Sequence, residues 1–321
     1  MKISVSVLIN NFNYARFLDR AIESVLAQTA PVDEIIVVDD GSTDNSREVL
    51  QRWAARDARI QPIFQANGGQ LSCFNAGFVR STGDIVCFLD ADDEYYPGHI
   101  ERLLGVYQAR PEIDFVFCRC EPVSADGGDA NNITLPWEVK AGDFDYGLTF
   151  CRATFQCEWL GSPTSAISVR RKLLGRILPC PLESQWRMHA DNVLVFGAAA
   201  FWGRKYYLAT AGVRYHLHGG NHWFGVVENI AVKLSYEFAL TNLLHHYNPG
   251  FPSSRYEARG FSQLLYQEFT SIPEPGRAEY QLYQKLIRKF GRRRRLKFRF
   301  KLWERWRKIL RRRRATPVKP G

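Results

Sequence analysis

Short apolar runs alternate along the first third of the chain with stretches whose apolar residues recur at helical spacing. Residues 5–9 read as a buried strand. Phe17, Leu18, Ala21, Ile22, Val25 and Leu26 then fall three and four apart, as on one face of a helix. A second strand, 34–38, ends in Asp39-Asp40-Gly41-Ser42, and Ser42 or Asp44 stands where it can cap a helix carrying Val49, Leu50 and Trp53. Strands at 60–64 and 85–89 bracket a Gly68-Gly69 turn and a helix through Ala76. A helix over 97–107 and a strand over 114–117 follow.

This alternation predicts an α/β fold built on a mostly parallel, Rossmann-like sheet with helices on both faces. Ligands of such sheets bind beyond the carboxyl ends of the strands. The polar clusters stand at strand ends, so they are expected to converge on one rim. Residues 121–145 are loop-rich, and 150–222 are mixed, with a short strand at 166–169. Residues 226–289 read as helical in three segments broken near Pro249 and Pro273. No internal repeat is evident.

Asp90, Asp92 and Asp93 close the fourth strand. Carboxylates packed this tightly repel one another and persist where a cation or ligand offsets their charge. Magnesium and manganese prefer oxygen ligands and bind through one or two carboxylates together with substrate phosphates. An Asp-x-Asp alone is more often a solvated turn; its place after a buried apolar strand shifts the reading towards metal. Asp39 and Asp40 suit either turn capping or recognition of a nucleobase or ribose. Asn10, Phe12 and Asn13 at the first strand's end could line a base pocket or form an ordinary loop.

The segments VSVLINNFNYARFLDRAIESVLAQT, EIIVVDDGSTDNS and NGGQLSCFNAGFVRSTGDIVCFLDADD closely resemble family 2 glycosyltransferases. The resemblance is nearly continuous over 5–104, patchy over 121–189 and absent after about 222. It implies a GT-A fold, an inverting mechanism and a divalent metal, manganese or magnesium. It also implies residue roles. Asn10, Phe12 and Asp40, with Asp39 beside them, match positions that hold the nucleotide base. Asn67, Gly68 and Gly69 match the loop beneath the donor, and Gln70 faces it. Asp90 lies near the ribose in such enzymes, and Asp92 ligates the metal, with Asp90 and His218 as further candidates. Asp191, in HADNVLVFG, matches the general base, although Ala190 replaces the family's usual preceding Glu. VRYHLHGGN resembles the segment that closes over the diphosphate, with His218 the matched histidine and Arg214 and His216 as helpers. The segment WLGSPTS, 159–165, matches a loop presented to the acceptor. Trp137, Trp186, Trp202 and Trp223 could stack on sugars, although aromatic residues are mostly core.

On this reading 1–120 is the nucleotide-sugar-binding half, 121–225 the acceptor-binding and catalytic half, 226–287 a C-terminal helical extension and 288–321 a basic amphipathic tail. The donor is a nucleotide sugar, UDP or dTDP favoured. The acceptor is a glycan or lipid-linked hydroxyl in cell-surface polysaccharide synthesis.

Charge changes the picture only at the C-terminus. The net charge is +10, but 288–314 holds 16 Lys/Arg against Glu304 alone, a local +15 that leaves about −5 elsewhere. On a helix from Leu296, the residues Phe300, Leu302, Trp303, Trp306, Ile309 and Leu310 share a face with Leu296, opposite Lys297, Lys301, Glu304, Arg305 and Lys308. Such a helix suits an anionic membrane surface. A helix docked on the body and nucleic-acid binding are weaker readings. The seven cysteines form no paired CxxC motif. The apolar run at 3–9 is too short for a signal peptide or a span. A reducing cytoplasm, at the inner face of the membrane, is the expected location.

Two other classes deserve comparison. A receiver domain also places acids at parallel strand ends but leaves Asp92, Asp93 and the later chain unexplained. A haloacid-dehalogenase-like phosphatase carries its Asp-x-Asp on the first strand, not the fourth. A nucleotide-sugar-binding protein that has lost catalysis is the remaining alternative.

Overall fold

The computed structural model describes residues 2–124, 141–218, 230–249, 261–290 and 295–315. Nine strands form one sheet: β1 Val5–Asn11, β2 Glu34–Asp39, β3 Ile60–Phe64, β4 Ile85–Asp90, β5 Glu94–Tyr95, β6 Phe115–Ser124, β7 Phe144–Gly147, β8 Ile167–Arg170 and β9 Lys205–Leu217. Their order is β3-β2-β1-β4-β8-β6-β9-β5, with β7 also on β9. The first four strands are mutually parallel, β8 is antiparallel to both its neighbours, and β6 runs parallel to β9. β6 crosses residue 120, so the segments before and after it share one sheet.

Helices cover both faces, because the central strands are apolar on both. Val5, Val7 and Ile9 of β1, with Ile85, Cys87 and Leu89 of β4, pack with α1 Ala15–Leu26, α2 Ser46–Arg56 and α4 His99–Ala109. Leu8, Val86 and Phe88 point the other way. They pack with α3 Gln70–Arg80, α6 Arg171–Ile177, α7 Asp191–Ala200 and α8 Ile230–Tyr247. A continuous apolar strand is thereby buried twice, as parallel sheets require.

Several elements differ from expectation. β6 runs to Ser124 and β9 is a 13-residue strand. β9 escapes an alternation search because its register with β6 slips around Arg119, opposite the Ala211-Gly212 segment. Gly212 is required there, since a Cβ would lie 2.2 Å from the His99 ring. Neither expected residue caps α2: the cap is Asn45, without a side-chain bond, and Asp44, one residue before it, accepts the Ser46 N–H at 3.0 Å. Ser42 instead receives the Asn13 N–H at 2.8 Å. Six of the seven cysteines are buried, and Cys157 is exposed.

The C-terminal helices are α9 Phe261–Ser271, α10 Arg277–Phe290 and α11 Arg295–Ala315, and α5 Phe150–Gln156 joins them to the body. Buried Glu268 of α9 anchors this contact: it accepts the Cys151 and Arg152 N–H groups of α5 and the Tyr283 hydroxyl of α10, the last at 2.7 Å. The expectation that α11 presents its whole apolar face to a membrane is corrected here. Leu302, Trp306 and Ile309 are buried, together with Phe298, against α9 and α10. Phe300, Trp303 and Leu310 stay exposed. The Leu296 side chain and residues 291–294 and 316–321 lie outside the described residues. No helix among the described residues is long and apolar enough to cross a membrane.

Leu302→Ala should therefore lower the free energy of urea unfolding by about 2–5 kcal/mol through the cavity it leaves. Phe300→Ser should change it by no more than about 0.5 kcal/mol. Equally small effects at both positions would contradict a docked α11.

Candidate active site

The site begins where β1, β2 and β4 end side by side. Their register sets Asn10 beside Asp90 and Asn11 beside Asp39. The Asn10 Nδ2 donates to Asp90 Oδ1 at 2.8 Å, and the Asn11 Nδ2 donates to Asp39 Oδ1 at 2.7 Å. Asn10 Oδ1 is buried and has no hydrogen-bond partner among the described residues, so the amide keeps an acceptor for an incoming group. Phe12, just beyond, is 45% exposed and forms an open apolar surface at the rim.

Asp40 organises the loop after β3. Its carboxylate accepts the Gly68 and Gly69 N–H groups at 2.8 and 2.7 Å and the Gln65 amide at 2.7 Å. Gly69 sits at φ 90°, and a Cβ there would meet the Arg187 Cα at 2.5 Å. This close approach lets the loop zip onto the segment before α7: Gln70 N–H to Arg187 O at 2.8 Å, and Leu71 N–H to Trp186 O at 3.2 Å. Arg187 also donates to Asn67 Oδ1. In this structure Asp40 and Asn67 are thus both engaged in shaping the loop.

Gln70 joins the acidic cluster to the candidate base. Its Nε2 donates to Asp90 Oδ1 at 3.0 Å and to Thr164 Oγ1 at 3.1 Å, while its Oε1 accepts the Ala190 N–H at 2.8 Å. Ala190 is the cap residue of α7, whose first residue is Asp191. One amide side chain therefore spans from the Asp-x-Asp carboxylate to the backbone that delivers Asp191. Burial raises the Asp191 carboxyl to about 7, opposed by hydrogen bonding from the Asn192 N–H. Asp90 is also raised, first by burial, then by the charges of Asp92 and Asp191. The two acids thus feel one another across the site.

The remaining acids divide their work. Asp92 Oδ2 lies 2.9 Å from His218 Nε2, and the imidazole stacks on Phe17 with Tyr14 at its edge. Asp93 turns inward, accepting the Ser165 hydroxyl at 2.5 Å and the His216 N–H at 3.0 Å. Ser165 in turn accepts the Asp90 N–H at 3.0 Å. Asp93 thereby fastens β9 and the turn at 164–166 to the cluster; burial, then the charges of Asp92 and Asp90, raises its carboxyl well above the ordinary range.

Asn10, Gln70, Asp90, Asp92, Asp191 and His218 are brought to one cluster, with Asp39, Asp40, Asn67 and Gly69 in the adjoining loops. Arg214 is held differently: it donates to Glu94 at 3.3 Å and lies over the Tyr96 ring. His216 likewise faces Glu94, at 2.6 Å. Trp186 is core, edge-on to Tyr236, and Trp202 stacks on Phe150. Trp137, Trp223 and the Gly-Gly-Asn at 219–221 lie outside the described residues. Thr164 and Ser165, expected in an acceptor loop, support the acidic cluster. Asn11, Tyr14 and Phe17 carry no chemical signature and were found only through contact.

Comparison with known proteins bears on family and fold. Residues 6–157 match the family described as Glycosyl transferase family 2. An uncharacterized glycosyltransferase of Nostoc is 38% identical over 222 residues, 68% of this chain and 66% of that protein. The uncharacterized glycosyltransferase EpsJ of Bacillus subtilis is 37% identical over 122 residues, 38% of this chain and 35% of that protein. The chain thus spans about two thirds or less of these relatives' own lengths. A crystal structure of Staphylococcus aureus TarS 1–349 with UDP-GlcNAc superposes at a TM-score of 0.51, over 95% of this chain and 92% of that one, at 18% identity. The likeness supports the GT-A fold.

Replacing the amide bridge tests the geometry without reference to turnover. Gln70→Leu strands the Ala190 N–H and removes a donor from Asp90, so urea unfolding should show a loss of about 2 kcal/mol. An unchanged unfolding midpoint would mean that the bridge is not made in solution.

Proposed function

Because the chain belongs to glycosyltransferase family 2, we propose that it moves a sugar from a nucleoside diphosphate sugar to a hydroxyl of a glycan or lipid-linked acceptor, with inversion, in cell-surface polysaccharide synthesis. The observation that carries this reading is the Gln70 bridge, which joins Asp90 to the Ala190 N–H, the cap of the helix that begins with Asp191. A uridine nucleotide is favoured, in keeping with the fold neighbour crystallised with UDP-GlcNAc; a deoxythymidine nucleotide is the second choice.

The donor set suits a hard divalent cation. Among the described residues no three acidic, imidazole or thiol groups form a cage by themselves. Asp92 with His218 would be an incomplete shell of the kind that magnesium or manganese completes with substrate phosphates, with Asp90 a further candidate ligand. The buried, mutually repelling acids fit the same conclusion, since a cation offsets their charge. When bound, the ion supplies charge neutralisation for the diphosphate.

The chain's own groups account for the rest. Asn10, Phe12, Asp39 and Asp40 offer an amide, an aromatic face and two acids to base and ribose, above the loop at 67–70. Asp191, ionised, takes the proton of the acceptor hydroxyl as its oxygen attacks the anomeric carbon and the bond to the diphosphate breaks. Gln70 fixes the distance between donor carboxylate and base, an orientational contribution. His218, held by Asp92 and Phe17, adds electrostatic support at the leaving group. Arg214, on β9 between β6 and β5, is a further donor to it once released from Glu94. In this reading the reaction takes place at the inner face of the membrane, with the basic helices at the C-terminus as the contact.

The base assignment has a definite sign in pH. With Asp191 raised to about 7, kcat/KM should rise as pH increases through about 7 and then level off, because only the carboxylate accepts a proton. A profile already flat from pH 5 upward would exclude Asp191 as the titrating base. Thermal shift should show stabilisation by UDP with manganese, about 2.7 kcal/mol at a hundredfold excess over Kd, lost with chelator and in Asp92→Ala. Equal stabilisation in chelator would remove the metal from the account.

A further inference from the structure

Burying half of α11 makes it part of the body, yet the helix leaves Phe300, Trp303 and Leu310 at 59%, 41% and 38% exposure. With Arg307 they fall at 300, 303, 307 and 310, one continuous stripe on a helix, and the Arg307 guanidinium lies 5.3 Å over the Trp303 ring. This stripe is distinct from the anchoring one, whose Trp306 stacks on Tyr280 at 5.3 Å. Folding of the helix pair therefore leaves it unused.

Beside the stripe, α10 and α11 enclose a groove of about 720 Å³. Phe300 and Trp303 form one of its walls, and exposed Lys285 and Arg288 the other. Arg299 lines it as well, fixed by donation from its Nε to Gln284 Oε1 at 3.0 Å while Gln284 Nε2 reaches the Arg299 carbonyl at 3.2 Å. Aromatic residues that suit the headgroup region thus border preset cations. Lys297, Lys308 and Arg311, all exposed, add positive charge to the outer side of the same helix.

We propose that the α10–α11 groove and the Phe300–Trp303–Leu310 stripe form a seat for anionic phospholipid headgroups on a bilayer surface. The cations attract the lipid phosphates, and the aromatic and aliphatic side chains enter the interface between headgroups and acyl chains. The combination favours a bilayer over a nucleic acid, for which phosphate contacts would suffice and an apolar stripe would remain in water. The proposal rests on the membrane contact suggested above and assigns it to particular residues. Because Glu268 and the buried α11 face hold these helices to the body, the seat fixes the catalytic domain's orientation against the membrane.

Cosedimentation of the full chain with vesicles separates the outcomes. Wild type should partition onto phosphatidylglycerol-rich vesicles about tenfold more strongly than onto pure phosphatidylcholine. Phe300→Ser with Trp303→Ser, and separately Lys285→Glu with Arg288→Glu, should each lower that partition about tenfold. Lys172→Glu, exposed on α6, should not. Melting temperature and nucleotide-induced stabilisation should be unchanged in both double variants, which sets a failed seat apart from a failed donor site. Undiminished vesicle binding in both variants would overturn this seat while leaving a membrane contact elsewhere. Absence of vesicle binding by wild type would overturn both, and preferential capture of an RNA duplex would reassign the groove to nucleic acid.

Discussion

Like charges held close together out of water are costly unless each is supplied with donors, and the candidate site is organised around that constraint. Asp90, Asp93 and Asp191 are all raised above the ordinary carboxyl range. Their donors come from separate parts of the chain: Asn10 from β1, Gln70 from α3, Ser165 from the turn before β8, and the His216 N–H from β9. Each element that returns to the rim brings a hydrogen bond to this cluster. The sheet order, with β8, β6 and β9 following β4, is what makes those returns possible.

The same contacts tie the loop after β3 to the start of α7. The loop after β3 is shaped by Asp40 and zipped onto residues 186–187, and Gln70 continues the connection to the start of α7. The loop after β3 and the backbone that carries Asp191 are thus joined directly. In the proposed reaction this coupling links nucleotide binding to placement of the base. Farther out, Glu268 joins α9 and α10 to α5, so the C-terminal helices are fixed to the catalytic body.

The first four strands and their helices were legible because each strand is a short apolar run with a helical pattern after it. The acidic cluster was legible for the same reason, since its residues terminate such a strand. Less visible were contacts made through the backbone or by uncharged residues. Nothing in the spacing marks Ser165 as a support for two acids, or Asp93 as an inward-facing fastener rather than part of an exposed triad. Gln70 was placed near the donor, but its bridge to Ala190 spans 120 positions, beyond the reach of local patterns. β9 was hidden by the register slip near Arg119. In α11 the heptad-like spacing identified an apolar face, but a one-dimensional pattern could not show that Leu302, Trp306 and Ile309 turn inward while Trp303 does not.

In the proposed reaction the acids divide between holding the donor and activating the acceptor, and calorimetry of UDP with manganese against Asp191→Ala tests that division most directly. The prediction is a Kd within about threefold of wild type, with transfer reduced by about 10²–10⁴-fold, as expected when a general base is removed. Loss of UDP affinity in that variant, in step with loss of transfer, would contradict the division and make Asp191 part of the donor site.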